Sequence, residues 1–412
     1  MRIAMMTDSF HPELGGIQDS IMTICRELGA RGHQICLLAP AAAARDFSRA
    51  GLSVGEVDLG PNVRIERCPA VPVAGSTGQS RLVLPTGRRW RALIEFRPEL
   101  IHAQTFFGLG IEAITAARRL DVPLIGTNHW AIGAFSGYFP LPASWFRALS
   151  ERAVTAFYNR CDQVYTPSHA VLDTMRAAGL ARPSGVISNP IDTGNFCPPD
   201  AAVRPALRER FGMDGRTIIY AGRLAREKHI EVLIRALAQV LAQIPDAMLA
   251  LAGHGSDRAR LERLAATLGI GHRVRFLGTL SQADLAQAFQ AADLFAIAST
   301  SESQSMVLLQ AMSTGLPAVA ARARALPEYV TPSCGLLAMP GDSDDFARHL
   351  GTLLSDAQLR RDMGGQAHAA AARYDTAAIA SQWESLYSTL CHSPIHPSRE
   401  SMHEAEPDHP RL

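Results

Sequence analysis

Lysine is all but missing from this sequence: of 40 basic side chains in 412 residues, only Lys228 is not an arginine. A GC-rich codon usage accounts for the arginines and leaves open why the single lysine stands where it does. Net charge is missing too. The 40 basic groups face 39 acidic ones for a formal charge of +1, which excludes the broad positive field of a general nucleic-acid binder. Cysteine is sparse and unpatterned, with seven residues scattered from Cys25 to Cys391 and no Cys-x-x-Cys. A disulfide framework or structural zinc is therefore not expected, and a reducing compartment fits. No apolar run approaches the ~18–20 residues of a membrane span. The apolar start of the chain meets Asp8 too soon for a signal peptide. A cytoplasmic protein is expected, with peripheral contact at the cytoplasmic face of the inner membrane left open.

What is present is a globular composition, 47% hydrophobic and 19% charged, long enough for roughly two to three cores. Short apolar runs alternate with segments of helical period, the pattern of βαβ units around a parallel sheet. Strands are expected at 2–7, 34–38, 63–67, 100–103, 123–126 and 163–165, with helices at 17–30, 111–120 and 143–159. A second series begins at 217–220 and continues with strands at 247–252, 274–276, 294–297 and 317–319. Its helices are expected at 230–243, 256–268, 281–291 and 306–314. The proline-rich stretch 189–199 cannot be helix or central strand and marks the join. The expected organisation is a doubly wound domain at 1–190 and another at 200–372. A helix at 373–391, with Ile379, Trp383, Leu386 and Tyr387 on one face, would cross back over the first domain, leaving 392–412 as a disordered tail.

Open α/β sheets bind ligands beyond the carboxyl ends of their strands. After the first strand come Gly15 and Gly16, directly before a helix. Such glycines let backbone N–H groups approach an anion, although tight turns use them as well. After the fifth strand stands Gly126-Thr-Asn-His129, a strand-end histidine able to donate a hydrogen bond to a substrate hydroxyl or phosphate, although such a histidine can also merely bond a neighbouring loop. In the second half, Gly222-Arg223-Leu-Ala-Arg-Glu-Lys228 follows a strand and leads into a helix. A guanidinium fork and a compact ammonium there suit a diphosphate. Farther on, Glu302-Ser-Gln-Ser305-Met306 opens a helix that carries Gln310 and ends at Gly315-Leu-Pro317. The helix N-terminus can hold phosphate oxygens, and Glu302 and Gln310 suit the hydroxyls of a sugar and a ribose.

In this order the motifs resemble glycosyltransferase family 4, the retaining, group 1 enzymes of GT-B fold, over roughly residues 1–390. The resemblance implies an α/β fold of two Rossmann-like, doubly wound domains facing a central cleft. It implies that Arg223 and Lys228 bind the donor diphosphate, that Glu302 touches the donor sugar and that His129 lies near the transferred hexose. Leu277 and Gly278, in Phe276-Leu-Gly278, resemble the segment that reads the nucleotide base. One departure is Gln310, where the family usually has a glutamate that bonds the ribose. An amide keeps an acceptor oxygen and adds donors, so weakened donor binding or altered preference is expected. Gly-Thr-Asn-His at 126–129 and Ser-Glu-Ser-Gln-Ser at 301–305 look most like the diacylglycerol glucosyltransferase branch.

The implied reaction transfers a hexose from a nucleotide diphosphate sugar, a UDP-sugar by this reading, to a lipid or glycan hydroxyl with retention. The leaving diphosphate would help deprotonate the acceptor, and with two cations supplied neither metal nor cofactor is expected. Two arginine- and tryptophan-containing stretches, 81–97 and 145–160, read first as ordinary surface helices with their apolar side inward and, in the alternative, as contacts for anionic membrane. A polysaccharide or small-molecule acceptor, a nucleotide-sugar epimerase and a non-catalytic sugar-nucleotide-binding protein stay open as other readings.

Overall fold

The structure, a computed structural model, describes residues 1–13, 15–72, 81–84, 90–130 and 143–392. The expected tail, from 393 onward, lies outside the described residues. In the first half the strands are β1 (Arg2–Met6), β2 (Gln34–Pro40), β3 (Val63–Cys68), β4 (Ala70–Pro72), β5 (Arg81–Val83), β6 (Leu100–Ala103), β7 (Leu124–Thr127), β8 (Gln163–Thr166) and β9 (Ser184–Val186). Its helices are α1 (Gly16–Ala30), α2 (Ala44–Ala50), α3 (Trp90–Phe96), α4 (Gly108–Leu120), α5 (Ala143–Tyr158) and α6 (His169–Ala177). Seven of the strands form one parallel sheet in the order β3-β2-β1-β6-β7-β8-β9, while β4 and β5 pair antiparallel outside it. The order reverses beside β1, which puts the loops after β1 and β6 at the switch point where a crevice opens.

The alternation along β1 explains why both faces are covered. Ala4 and Met6 point into a core with Leu109 and Ala113 of α4, whereas Ile3 and Met5 face Ile24 and Leu28 of α1. A strand buried on both faces reads as a continuous apolar run, as Ile3–Met6 does.

The second half contains β10 (Thr217–Ala221), β11 (Met248–Ala252), β12 (Val274–Gly278), β13 (Leu294–Ile297), β14 (Ala318–Ala321) and β15 (Gly335–Ala338), a parallel sheet in the order β12-β11-β10-β13-β14-β15. Around it lie α7 (Arg204–Phe211), α8 (Ile230–Val240), α9 (Arg258–Thr267), α10 (Gln282–Ala291), α11 (Met306–Ser313), α12 (Leu326–Tyr329), α13 (Ser343–Ser355) and α14 (Ala357–Ala371). The last helix, α15 (Thr376–His392), returns to the first half. Its Ile379, Ala380, Trp383 and Tyr387 are buried with Ile24 and Leu28 of α1, and Glu384 binds Arg31 at 3.0 Å and His33 at 2.9 Å. The chain crosses between the halves twice, side by side: the Ile191 amide donates to the Tyr374 carbonyl at 2.9 Å.

The stretch 81–97 is not a single surface helix. Residues 81–83 are strand β5, and the Arg81 side chain is buried against the Asp46 carboxylate and donates to the Ala70 carbonyl at 3.2 Å. A guanidinium held by a buried partner cannot attract lipid head groups, so Arg81 leaves that candidate surface. Residues 85–89, with Arg88 and Arg89, lie outside the described residues.

Candidate active site

In the second half the site begins where β10 ends. Gly222 has φ 140°, and its carbonyl approaches Gly253 so closely that a Cβ there would lie 1.9 Å from the oxygen. Two glycines thus let the loops after β10 and β11 meet at the sheet edge. The Tyr220 hydroxyl donates to the Arg223 carbonyl at 3.1 Å and holds the turn. Arg223 pairs with Glu227 at 2.7 Å. Lys228, in a single 3-10 turn ahead of α8, places Nζ 2.6 Å from Glu302 Oε1 across the cleft floor. Each cation is therefore neutralised by a carboxylate, and an incoming polyanion would have to take over these partners.

Glu302 precedes α11, whose N-cap is Ser305; its hydroxyl accepts the Leu308 amide at 3.4 Å. Opposite stands the N-terminus of α1, capped by Gly15. The two ends approach so closely that a Cβ on Gly16 would lie 2.9 Å from Met306 Sδ. Two helix N-termini facing one cleft bring two sets of unpaired N–H groups toward it, a setting that favours anions. Gln310 in α11 donates from Nε2 to Gln282 Oε1 at 3.2 Å, and Gln282 Nε2 donates to Asp19 Oδ2 at 3.2 Å. This chain runs from one half to the other and ends on a carboxylate that burial pushes up to about 6.

His129 follows β7 and is buried. Its Nε2 donates to Gln104 Oε1 at 2.8 Å, so the Nδ1 atom carries the lone pair. Burial holds its pKa down to about 4, opposed by the Asn189 side chain. The 302–305 loop locks onto the same corner. Ser303 Oγ donates to the His129 carbonyl at 2.8 Å, and Gln304 Oε1 accepts from the Asn189 amide at 2.9 Å and its side-chain nitrogen at 2.7 Å. The Asn189 carbonyl-type oxygen in turn accepts from Ser20 at 2.8 Å.

These groups surround a cleft of roughly 800 Å³. Of the residues expected from sequence, Gly15, Gly16, His129, Arg223, Lys228, Glu302, Ser305, Met306 and Gln310 all line it. Leu277 and Gly278 do not; Gly278 ends β12 and its carbonyl accepts the Gly253 amide at 2.7 Å. The next two residues, Thr279 and Leu280, form that wall. Sequence reasoning had Gln304 only as part of the 301–305 motif, without its partner Asn189, and missed Asp19, Gln282 and Gln104. Asp19 had a signal, its place in the first turn after the paired glycines. Gln282 and Gln104 carry none, because an isolated glutamine reads as surface until the fold gives it a partner.

Comparisons with known proteins bear on the family and the fold. Residues 204–369 match the family model for glycosyl transferases group 1, and residues 14–195 match that for glycosyltransferase family 4. A GDP-mannose-dependent alpha-mannosyltransferase of Mycobacterium tuberculosis is 29% identical over 85% of this chain and 88% of its own. An alpha-monoglucosyldiacylglycerol synthase of Streptococcus pneumoniae is 28% identical over 78% of this chain and 71% of its own. A crystal structure of Anabaena Alr3699/HepE in complex with UDP superposes with a TM-score of 0.75 at 24% identity, covering 95% of this chain and all of that one. It shares the fold.

Proposed function

The chain belongs to the glycosyltransferases of family 4 and group 1, with the GT-B fold and a nucleotide sugar as donor, and from that premise we propose that it moves a hexose from a UDP-sugar to a hydroxyl of a diacylglycerol-type lipid with retention of configuration. One observation carries the reading: Arg223, Lys228, Glu302 and the start of α11 converge on the cleft wall that faces His129. The diphosphate lies with Arg223, Lys228 and the helix N-terminus, Gln310 takes the ribose and Glu302 the sugar. The bond from the anomeric carbon to the diphosphate oxygen breaks while the acceptor oxygen bonds on the same face. The acceptor proton passes to the leaving phosphate oxygen. Stabilising the departing charge is then the protein's main task, and two side-chain cations with two helix ends supply it without a resident metal or cofactor.

The lipid acceptor is supported by the synthase relatives and by α5, on which Trp145 and Leu149 are 76% and 68% exposed. The mannosyltransferase relatives favour GDP-mannose as the competing donor. The test is a screen of UDP- and GDP-sugars against diacylglycerol and glycan acceptors, with product masses and anomeric configuration determined. UDP release with a new glycolipid of α configuration is expected. In the same assay Lys228→Ala should lose at least about tenfold in kcat/KM, ~1.4 kcal/mol of transition-state stabilisation. Turnover with GDP-mannose alone, or wild-type activity of Lys228→Ala, would overturn the donor or the phosphate assignment respectively. Binding of a donor without turnover on any acceptor would favour a non-catalytic protein.

A further inference from the structure

Behind His129 lies a buried polar chain that the reaction described above does not use. Gln104, at the end of β6, accepts the His129 Nε2 proton on its side-chain oxygen at 2.8 Å. Its amide nitrogen is seated against the imidazole of His102, 3.2 and 3.3 Å from the two ring nitrogens. His102 is fixed at both ends. Its Nδ1 meets the Tyr387 hydroxyl at 2.7 Å, and its Nε2 meets Thr127 Oγ1 at 2.7 Å. Trp383 closes the ring's face at a centroid distance of 4.7 Å. His102, Thr127, Gln104, His129 and Tyr387 are all at most 6% exposed. Tyr387 and Trp383 belong to α15, the last helix among the described residues, so residues far along the chain reach the layer behind the site.

A neutral imidazole has one donor and one acceptor nitrogen, and the partner of one decides the other. The Gln104 oxygen can only accept. It therefore holds His129 as the Nε2–H tautomer and leaves Nδ1, which has no hydrogen-bond partner among the described residues, as an acceptor. We propose that Gln104, seated on His102 and through it on Tyr387 of α15, is the positioning residue that fixes the tautomer of His129 and so makes its Nδ1 the acceptor of a hydrogen bond from a hydroxyl of the transferred sugar. The proposal rests on the reading of His129 as a sugar contact.

Five variants test it: Gln104→Leu, Gln104→Glu, Tyr387→Phe, His129→Ala and the double variant Gln104→Leu/His129→Ala, each assayed in the full chain with the donor that the screen identifies. Gln104→Leu, which deletes the acceptor, is expected to lower kcat about tenfold with donor KM within about twofold, an effect on the transition state rather than on binding. Gln104→Glu restores an acceptor and should recover most of kcat at alkaline pH. Its carboxylate stabilises the imidazolium, so activity should fall with a new inflection as pH drops. Tyr387→Phe should give a smaller loss of the same sign, and Gln104→Leu/His129→Ala should be no worse than His129→Ala alone. Nitrogen-15 spectra of labelled histidines, assigned by the signal lost in His129→Ala, should show the Nε2–H tautomer in wild type and its loss in Gln104→Leu. Wild-type kcat in Gln104→Leu, multiplying losses in the double variant, or an unchanged tautomer would overturn the proposal. If His129→Ala itself is fully active, the reading of His129 as a sugar contact fails, and the nitrogen spectra alone then decide whether Gln104 sets the tautomer.

Discussion

At the scale of single residues, two positions separate codon usage from chemistry. Lys228 is the only lysine, and its ammonium sits 2.6 Å from Glu302 inside the cleft. A compact charge on a rotatable stem can leave that carboxylate for a phosphate oxygen, whereas arginine's planar fork would fill the space differently. Gln310 is the second. Where a glutamate is usual, the amide here donates to Gln282, which donates to Asp19. The chain has a direction, and it ends on a carboxylate that can only accept when ionised. A glutamate at 310 would force Gln282 to turn its own oxygen toward Asp19, setting acceptor against acceptor. Gln310→Glu is therefore expected to raise donor KM severalfold, about 1 kcal/mol for one misdirected hydrogen bond. Asp19→Asn, which supplies a donor at the far end, should return part of the loss when combined with it. Wild-type KM values in both Gln310→Glu and the double variant would show that the chain does not bear on donor binding.

At the scale of elements, α5 marks the limit of what period alone can tell. The 3.6-residue pattern located a helix at 143–159 against the observed Ala143–Tyr158. It could not choose a face, because apolar residues lie on both. Val154 and Tyr158 go into the core, and Trp145 and Leu149, one turn apart, go outward with Arg152. Buried strands such as β6 and β13 were legible to the residue because they are short apolar runs between polar ends. The three-residue strands β4, β5 and β9 were not, being shorter than one full alternation. The same holds in the site. Motif residues bound to strand ends and helix starts could be found, whereas Gln104 and Gln304 gain their meaning only from partners far along the chain. The outward face of α5 yields an expectation of its own. With vesicles containing anionic lipid, Trp145 fluorescence should shift to the blue at low salt, and high salt should release the protein. Trp145→Ser/Leu149→Ser should bind at least about tenfold more weakly, since two apolar side chains contribute ~1.5–3 kcal/mol each when fully buried. Unchanged sedimentation of the double variant with vesicles would exclude α5 as the contact.

At the scale of the whole molecule, α15 closes over the first sheet and α1, and that closure has a pH signature. Burial by α15 and the first sheet holds His102 down to about 3 and His129 to about 4. In the unfolded chain both titrate near 6.5. Between about pH 6.5 and 4 the unfolded state binds protons that the folded state refuses. The stability tied to these neutral rings is thus fully present above 6.5 and is lost as pH falls toward 4. Asp19, raised to about 6, works the other way: the folded state keeps its proton where the unfolded state has lost it, so acid favours folding at that site. Asp8, raised by burial, shares that sign. A melting curve of the wild type alone mixes these terms, and a difference curve isolates one. His102→Gln removes the ring and keeps a polar side chain, so it should be the less stable protein at pH 8, where it lacks the Tyr387 and Thr127 contacts. Below pH 6.5 only the wild type suffers the His102 penalty, ~1.4 kcal/mol per pH unit. The gap between the two should therefore narrow by roughly 2 kcal/mol between pH 6.5 and 5. Denaturant melts at half-unit steps measure it, with the carboxylate terms common to both proteins cancelling. Parallel curves across that range would mean that His102 takes up a proton in the folded protein, and that the seam under α15 is open to water.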